Sequence, residues 1–327
     1  MNLKYFLVAF LISLLFWWGI NPVRKGLEDF FVWRETKDSQ ILTAKINQKI
    51  FEVKLESLKP IRNWRIEDLK IEAKSAISVE VDNKGNQKVL FRKNSDKILA
   101  IASLTKLMTA KVVLDSNPPA TFPPSAGPYY DLSQIIEISK EAVEQEGEAG
   151  DFKIGEKFRV KDFLYSLLME SSNDAAQALA EVIGEKTFVE LMNSEAKNLN
   201  LESTHFANPT GLDHPKNYST TEDLVKLANY LSKKPLIWEI LSTPEFDLYS
   251  PEGIYHHRLL NKNELLGEIP GIVGGKTGWT PQAGDCLLLV LKSPKNQGYL
   301  INVILGSKDK FEEMRKLVEW IHKAYLW

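Results

Sequence analysis

A chain of 327 residues is long enough to bury a full hydrophobic core, and it admits one large domain or two small ones beside a targeting segment. Lys+Arg 41 against Asp+Glu 43 leaves a net charge of −2, and with no long basic block the chain offers nucleic acid no electrostatic footprint. A single cysteine, Cys286, excludes an intramolecular disulfide framework, and His205, His214, His256, His257 and His322 show no HExxH or paired spacing that argues for a metal.

Along the chain, Lys4 precedes an uninterrupted apolar run from Tyr5 to Ile20. Its length falls between a signal-peptide core of about 7–15 residues and a spanning helix of roughly 17–25. The run ends Trp17-Trp18-Gly19-Ile20-Asn21-Pro22, without a small-x-small cleavage site and with tryptophans suited to a membrane interface. Residues 1–20 are therefore expected to stay as a membrane anchor. Lys4 on one side and Arg24 and Lys25 on the other leave its orientation open. Residues 21–70 scatter Trp33, Phe51 and Trp64 among lysines and glutamates with no clear period, and read as a tether rather than a surface helix through Val23, Leu27, Phe30 and Phe31.

Order begins at Ala76. Ala76–Asp82 alternates, Asn83-Lys84-Gly85-Asn86 supplies turn chemistry, and Lys88–Arg92 returns as a second strand, which predicts a β-hairpin. Helical periodicity follows from about Ser103, around Phe163–Met169, Asp174–Ile183, Phe188–Leu199 and Glu222–Leu231. The Pro-rich stretch from Asn117 to Tyr130 interrupts it as an exposed loop, expected to be dispensable for folding. Val273–Thr280, Asp285–Leu291 and Tyr299–Leu305 read as an antiparallel meander in which Cys286 is a small core residue. Phe311, Met314, Leu317, Val318 and Ile321 at helical spacing form a closing helix over that sheet, and His256-His257 fall in a loop or strand edge. Two strands before the helices and three after predict an α+β domain over 71–327, a five-stranded antiparallel sheet whose first and last segments pair, with helices on both faces.

Three short motifs carry chemistry. Ser103-Leu104-Thr105-Lys106 on a helix-forming stretch places an amine beside a hydroxyl, the neighbour a serine needs to become a nucleophile. Ser171-Ser172-Asn173 lies between two helical stretches, where cap chemistry alone would also explain it. Lys276-Thr277-Gly278 sits in a strand-like segment whose flanking glycines leave room for a bound peptide or for an ordinary bulge. Each pattern alone is common. The trio in this order is a known signature of penicillin-binding proteins and class A β-lactamases.

With the phrases Ala73–Ala76, Glu144–Gly147, Ser171–Ala176, Asn208–Asp213 and Tyr218–Thr220 added, residues 71–327 resemble the D-alanyl-D-alanine carboxypeptidases, serine-type penicillin-binding proteins of low molecular mass with a β-lactamase/transpeptidase-like domain. Two departures are noted: no β-rich second domain and no C-terminal amphipathic anchor are expected, the anchor having moved to the N-terminus. The resemblance implies that Ser103 attacks the carbonyl between two terminal D-alanines and forms an acyl-enzyme. It implies Lys106 as general base, Ser171 as proton relay, and Asn173 as holder of Lys106 and the substrate amide. Lys276 and Thr277 would receive the terminal carboxylate, with Gly278 and Trp279 lining the substrate and the N–H groups of Ser103 and Trp279 meeting the oxyanion. No cofactor is implied. The expected partners are peptidoglycan stem peptides, β-lactams and, through the anchor, the cell membrane, crossed once with the catalytic domain outside. A β-lactamase and a weakly catalytic scaffold for cell-wall peptides are the rival readings.

Overall fold

The computed structural model describes residues 3–57, 59–115, 130–294 and 298–327. The chain divides into two compact units, one running from the N-terminus to Arg62 together with Leu326–Trp327, the other Asn63–Tyr325.

The first unit is dominated by α1 (Leu3–Ser57), which continues through Pro22 and covers most of the stretch expected to be a tether. Beyond Pro22 its residues are mainly Leu, Ile, Lys, Glu, Gln and Arg, with Gly26 the one glycine and no further proline, so backbone propensity carries the helix without a periodic apolar face. Arg24 and Glu28 add an i,i+4 pair at 2.9 Å. Among the described residues no helix is long and apolar enough to cross a membrane. The side chains of residues 15–21, which include Trp17 and Trp18, lie outside that set.

In the second unit β1 (Ser75–Asp82) and β2 (Gln87–Lys93) form the expected hairpin. Asp82 Oδ1 accepts the N–H groups of Lys84 and Asn86, each at 2.8 Å, and Gly85 takes the left-handed φ of +84° that the turn requires. A single 3₁₀ turn, Ala102–Thr105, leads into α2 (Lys106–Asp115). Then come β3 (Ile135–Glu137), α3 (Lys140–Val143), β4 (Lys157–Arg159), α4 (Val160–Met169), α5 (Asn173–Glu181), α6 (Glu185–Asn198), α7 (Thr221–Leu231) and α8 (Pro235–Ser242). A hairpin of β5 (Glu245–Tyr249) and β6 (Tyr255–Leu260) precedes β7 (Ile272–Thr280), β8 (Gly284–Lys292), β9 (Gly298–Ser307) and α9 (Lys310–Ala324).

The five-stranded sheet runs β2-β1-β9-β8-β7, all antiparallel, with Leu300 opposite Glu80 and Val303 opposite Ile77, so the first and last segments do pair. Strands β8 and β9 are buried almost without alternation, the pattern of a sheet covered on both faces. Helix α9 packs on them through Met314, Leu317, Val318 and Ile321 and is capped by Asp309, whose carboxylate accepts the N–H groups of Phe311 and Glu312 at 3.1 and 2.9 Å. Cys286 is buried as expected, its thiol pushed up to about 12 by burial. Helix α8, the β3/β4 pair and the β5/β6 hairpin are short elements and were not foreseen. The Pro-rich segment lies outside the described residues except for Tyr130. That residue is fully buried, donates its hydroxyl to Leu179 O at 2.6 Å and meets Phe188 edge-on, so it belongs to the core and not to the loop.

Candidate active site

Ser103 stands on the 3₁₀ turn before α2. In that geometry residues three apart eclipse one another, and Lys106 Nζ lies 3.0 Å from Ser103 Oγ. The turn is wedged between the Asn208–Asp213 loop and β7, an edge strand. A Cβ on Gly211 would meet Ala102 O at 2.1 Å, and one on Gly278 would meet Ser103 N at 3.0 Å. Gly211 also holds φ +88°, so glycine is required there for conformation and for space. The loop's own bonds, from Gly211 N–H and Thr210 hydroxyl to Asn208 Oδ1, aim the Thr210 carbonyl at Lys106.

Lys106 is fully buried and has three partners: Ser103 Oγ, Asn173 Oδ1 at 2.7 Å, and Thr210 O. The last two can only accept. A neutral amine satisfies both with its two N–H bonds and leaves its lone pair directed at the Ser103 hydroxyl. The environment favours that neutral form, because burial first and the charge of Lys276 second hold Lys106 well below its ordinary value. Lys276, also buried, is lowered to about 7 by burial and then by Lys262, and it donates to Ser171 Oγ at 2.8 Å and Thr277 O at 2.9 Å.

Ser171 sits between α4 and α5 at φ +66°, an uncommon conformation for serine, and Ser172 caps α5 by accepting from Ala175 N–H at 3.0 Å. Asn173 opens α5, and its Nδ2 donates to Glu146 O at 2.6 Å, which fixes Oδ1 toward Lys106. Ser103, Ser171, Thr277, Gly278 and Trp279 line one groove of about 350 Å³, while Lys106, Asn173 and Lys276 lie buried behind its wall. All eight residues singled out in the sequence therefore meet at one place. Six further lining residues were missed: Glu148, Asn261, Lys262, Glu264, Lys310 and Phe311. Phe311, expected on the buried face of the closing helix, is half-buried at the groove instead. Glu148 is ion-paired with Lys262, and Lys310 with Asp285.

The sequence profile of the D-alanyl-D-alanine carboxypeptidases matches residues 63–309. The chain belongs to that family. The D-alanyl-D-alanine carboxypeptidase DacF of Bacillus subtilis is 33% identical over 266 residues, which cover 80% of this chain and 65% of that relative. A D-alanyl-D-alanine endopeptidase of Pseudomonas aeruginosa is 32% identical over 251 residues, 75% of this chain and 76% of that protein. Among solved structures, a Streptomyces DD-transpeptidase variant superposes with a TM-score of 0.68 at 27% identity over 78% of this chain and all of that one. A Listeria monocytogenes penicillin-binding protein solved with ampicillin bound superposes at 0.65 with 28% identity, over 78% of this chain and 99% of that one. The fold of this carboxypeptidase-family chain is thus the penicillin-binding one, with its five-stranded antiparallel sheet flanked by helices.

Proposed function

We propose that the chain is a serine-type D-alanyl-D-alanine carboxypeptidase that removes the terminal D-alanine of peptidoglycan stem pentapeptides. The observation that carries this reading is the buried Lys106 amine 3.0 Å from Ser103 Oγ, its other two partners being oxygens that can only accept. The Ser103 proton passes to neutral Lys106 as Oγ bonds to the carbonyl carbon of the penultimate D-alanine. Backbone N–H groups of Ser103 and Trp279 receive the oxyanion. As the C–N bond breaks, Ser171 hands its proton to the leaving amine and takes one from Lys276; water then attacks the ester, its proton passing through Ser171 back to Lys276, while Lys106 returns its proton to Ser103 Oγ. Thr277 and Lys276 take the substrate's terminal carboxylate, whose charge favours protonated Lys276.

A β-lactam presents the same acyl centre, so it acylates Ser103 as well. Of the two groove carboxylates, Glu148 is engaged by Lys262 and Glu264 is exposed to solvent, which favours a long-lived penicilloyl ester over β-lactamase turnover. Incubating a synthetic pentapeptide and penicillin separately with the protein tests both parts by mass spectrometry. D-alanine release with a persistent adduct on Ser103 is expected. Fast penicillin hydrolysis without D-alanine release would favour a β-lactamase, and no adduct on intact Ser103 a scaffold. Residues 1–20 act as a single-pass anchor that leaves residues 71–327 outside the cytoplasmic membrane, and recovery of protein beginning past Asn21 in a soluble extracytoplasmic fraction would overturn that placement.

A further inference from the structure

One buried acid stands beside the site without a part in the chemistry above. Asp174 follows Asn173 in the first turn of α5 and is 1% exposed. Its Oδ2 accepts the Gly150 N–H at 2.9 Å, whereas its Oδ1 is buried with no hydrogen-bond partner among the described residues. Buried polar atoms are nearly always paired, so an unpaired carboxylate oxygen calls for a reason other than packing. Anchoring the loop ahead of α5 does not supply one. Asn173 already holds that loop, its Nδ2 donating to Glu146 O at 2.6 Å and its N–H to Glu148 O at 2.7 Å, and a neutral amide at residue 174 would accept from Gly150 equally well.

What the carboxylate adds is charge, and the group that feels it is Lys106, whose Nζ lies 2.7 Å from Oδ1 of the adjacent Asn173. Besides burial, four charges act on Lys106: Lys276 and Lys262 oppose its protonation, and Glu148 and Asp174 favour it. Glu148 and Lys262 are paired with each other, their side chains 55% and 38% exposed, so their influences offset and water screens the remainder. Asp174 is neither paired nor screened. Burial holds its carboxyl above the ordinary value, Asp151 adding to that while the Gly150 bond and the Lys106 charge oppose it. During acylation Lys106 takes the Ser103 proton and keeps it until the ester is hydrolysed, so an ammonium forms among the neutral oxygens of Ser103, Asn173 and Thr210. A buried cation without an opposite charge is unfavourable, and a carboxylate shut away from water offsets it more strongly than an exposed one can.

We propose that Asp174 is a positioning residue for the reaction, the buried counter-charge that steadies the ammonium Lys106 becomes when it takes the Ser103 proton. The proposal rests on the role given to Lys106 above. The test is the rate of Ser103 acylation by a fluorescent penicillin, measured on the full chain from about pH 5 to about pH 9. Asp174→Asn keeps an oxygen for the Gly150 N–H and removes the charge, and Asp174→Ser does so with a hydroxyl where the amide does not fold. Without the carboxylate Lys106 holds a proton less well. The acid midpoint of the profile should therefore move toward acid by about one pH unit. The plateau rate should fall about threefold, because the base is weaker. The variant is then slower than wild type on the plateau and faster on the acid side. Loosened packing produces no such crossing, since a lost Gly150 contact slows acylation alike at every pH. An unmoved acid midpoint in variants that fold by their thermal midpoints, beside a wild-type acid limb that Lys106→Met abolishes, overturns the proposal alone. Wild type that forms no adduct at any pH, or a Lys106→Met variant that keeps the acid limb, fails the reading of Ser103 and Lys106 and takes the proposal with it.

Discussion

Lys106 and Lys111 lie on the same helix and neither side chain reaches water, yet their partners differ in kind. Lys111 bonds two carboxylates, Asp115 at 2.7 Å and Glu195, with the Tyr230 ring 4.7 Å from its Nζ. Lys106 and, on β7, Lys276 meet hydroxyl, amide and carbonyl oxygens, and among the described residues neither has an ion pair. A buried amine given carboxylates stays an ammonium and ties elements together; one given only neutral acceptors is pressed to release its proton. Helix α2 therefore carries a structural lysine and a chemical one, and the distinction lies in what the neighbouring loops present.

The largest effect expected from that contrast is on catalysis. Ser103→Ala should give no adduct, and Lys106→Met should slow acylation by roughly 10²–10⁴-fold, the usual worth of a general base. Stability of Lys106→Met should change by no more than about 2 kcal/mol, because relief from burying the amine offsets two acceptors left unpaired. Gel detection of the adduct and urea unfolding read the two quantities. Lys111→Met should do the reverse. Breaking a buried pair costs roughly 3–5 kcal/mol, and since Asp115 and Glu195 side chains stay 20% and 28% exposed the loss belongs at or below the low end of that range. Its acylation rate, measured where it is fully folded, should remain within about twofold of wild type. A stable Lys111→Met, or a slow one, would erase the distinction.

Much of this was legible in the sequence, and the missing parts share a cause. Alternation located the β1/β2 hairpin and the β7–β9 meander, and the three motifs delivered Ser103, Lys106, Ser171, Asn173, Lys276, Thr277 and Gly278. What motifs cannot convey is the aim of a backbone carbonyl. Thr210 O and Glu146 O, which orient Lys106 and Asn173, belong to phrases visible in the sequence, but their direction is set by the left-handed Gly211 and by the loop ahead of α5. The groove wall from Glu148, Lys262 and Phe311 joins segments far apart in the chain, and nothing local marks them as neighbours. The part of α1 beyond Pro22 was missed for the opposite reason: it rests on propensity and has no apolar stripe to betray it.

Asn173→Asp converts one kind of lysine into the other. It puts a carboxylate where Oδ1 now lies, 2.7 Å from Lys106 Nζ, so that Lys106 gains the sort of partner that Lys111 has. An opposite charge at that range raises a lysine by roughly 1–3 pH units, and the acid limb of the acylation profile should move alkaline by about that much. At neutral pH the rate then falls by about 10-fold or more, whereas Asn173→Ala loses orientation without that shift. An unmoved midpoint in the aspartate variant would show that charge is not what separates the two lysines.

The smallest effect is on stability against pH, and its sign follows from Lys276. Its folded value is about 7 against an ordinary 10.5, so between those limits the unfolded chain holds a proton that the folded one lacks. Folding stability then rises with pH across that window, by up to about 1.4 kcal/mol per pH unit for one group, and this contribution levels off below about 7 where both states are protonated. Lys106 adds a contribution of the same sign. Cys286 opposes it above its ordinary 9.0, because the buried thiol keeps its proton to about 12, so the clean interval lies between about 7 and 9. Urea unfolding of wild type and Lys276→Met across that interval separates Lys276 from every group the two proteins share. The wild-type minus variant difference should grow in favour of wild type as pH rises. A flat difference for Lys276→Met would mean that its amine is charged in the folded state, and that neutral acceptors and burial do not suffice to strip it.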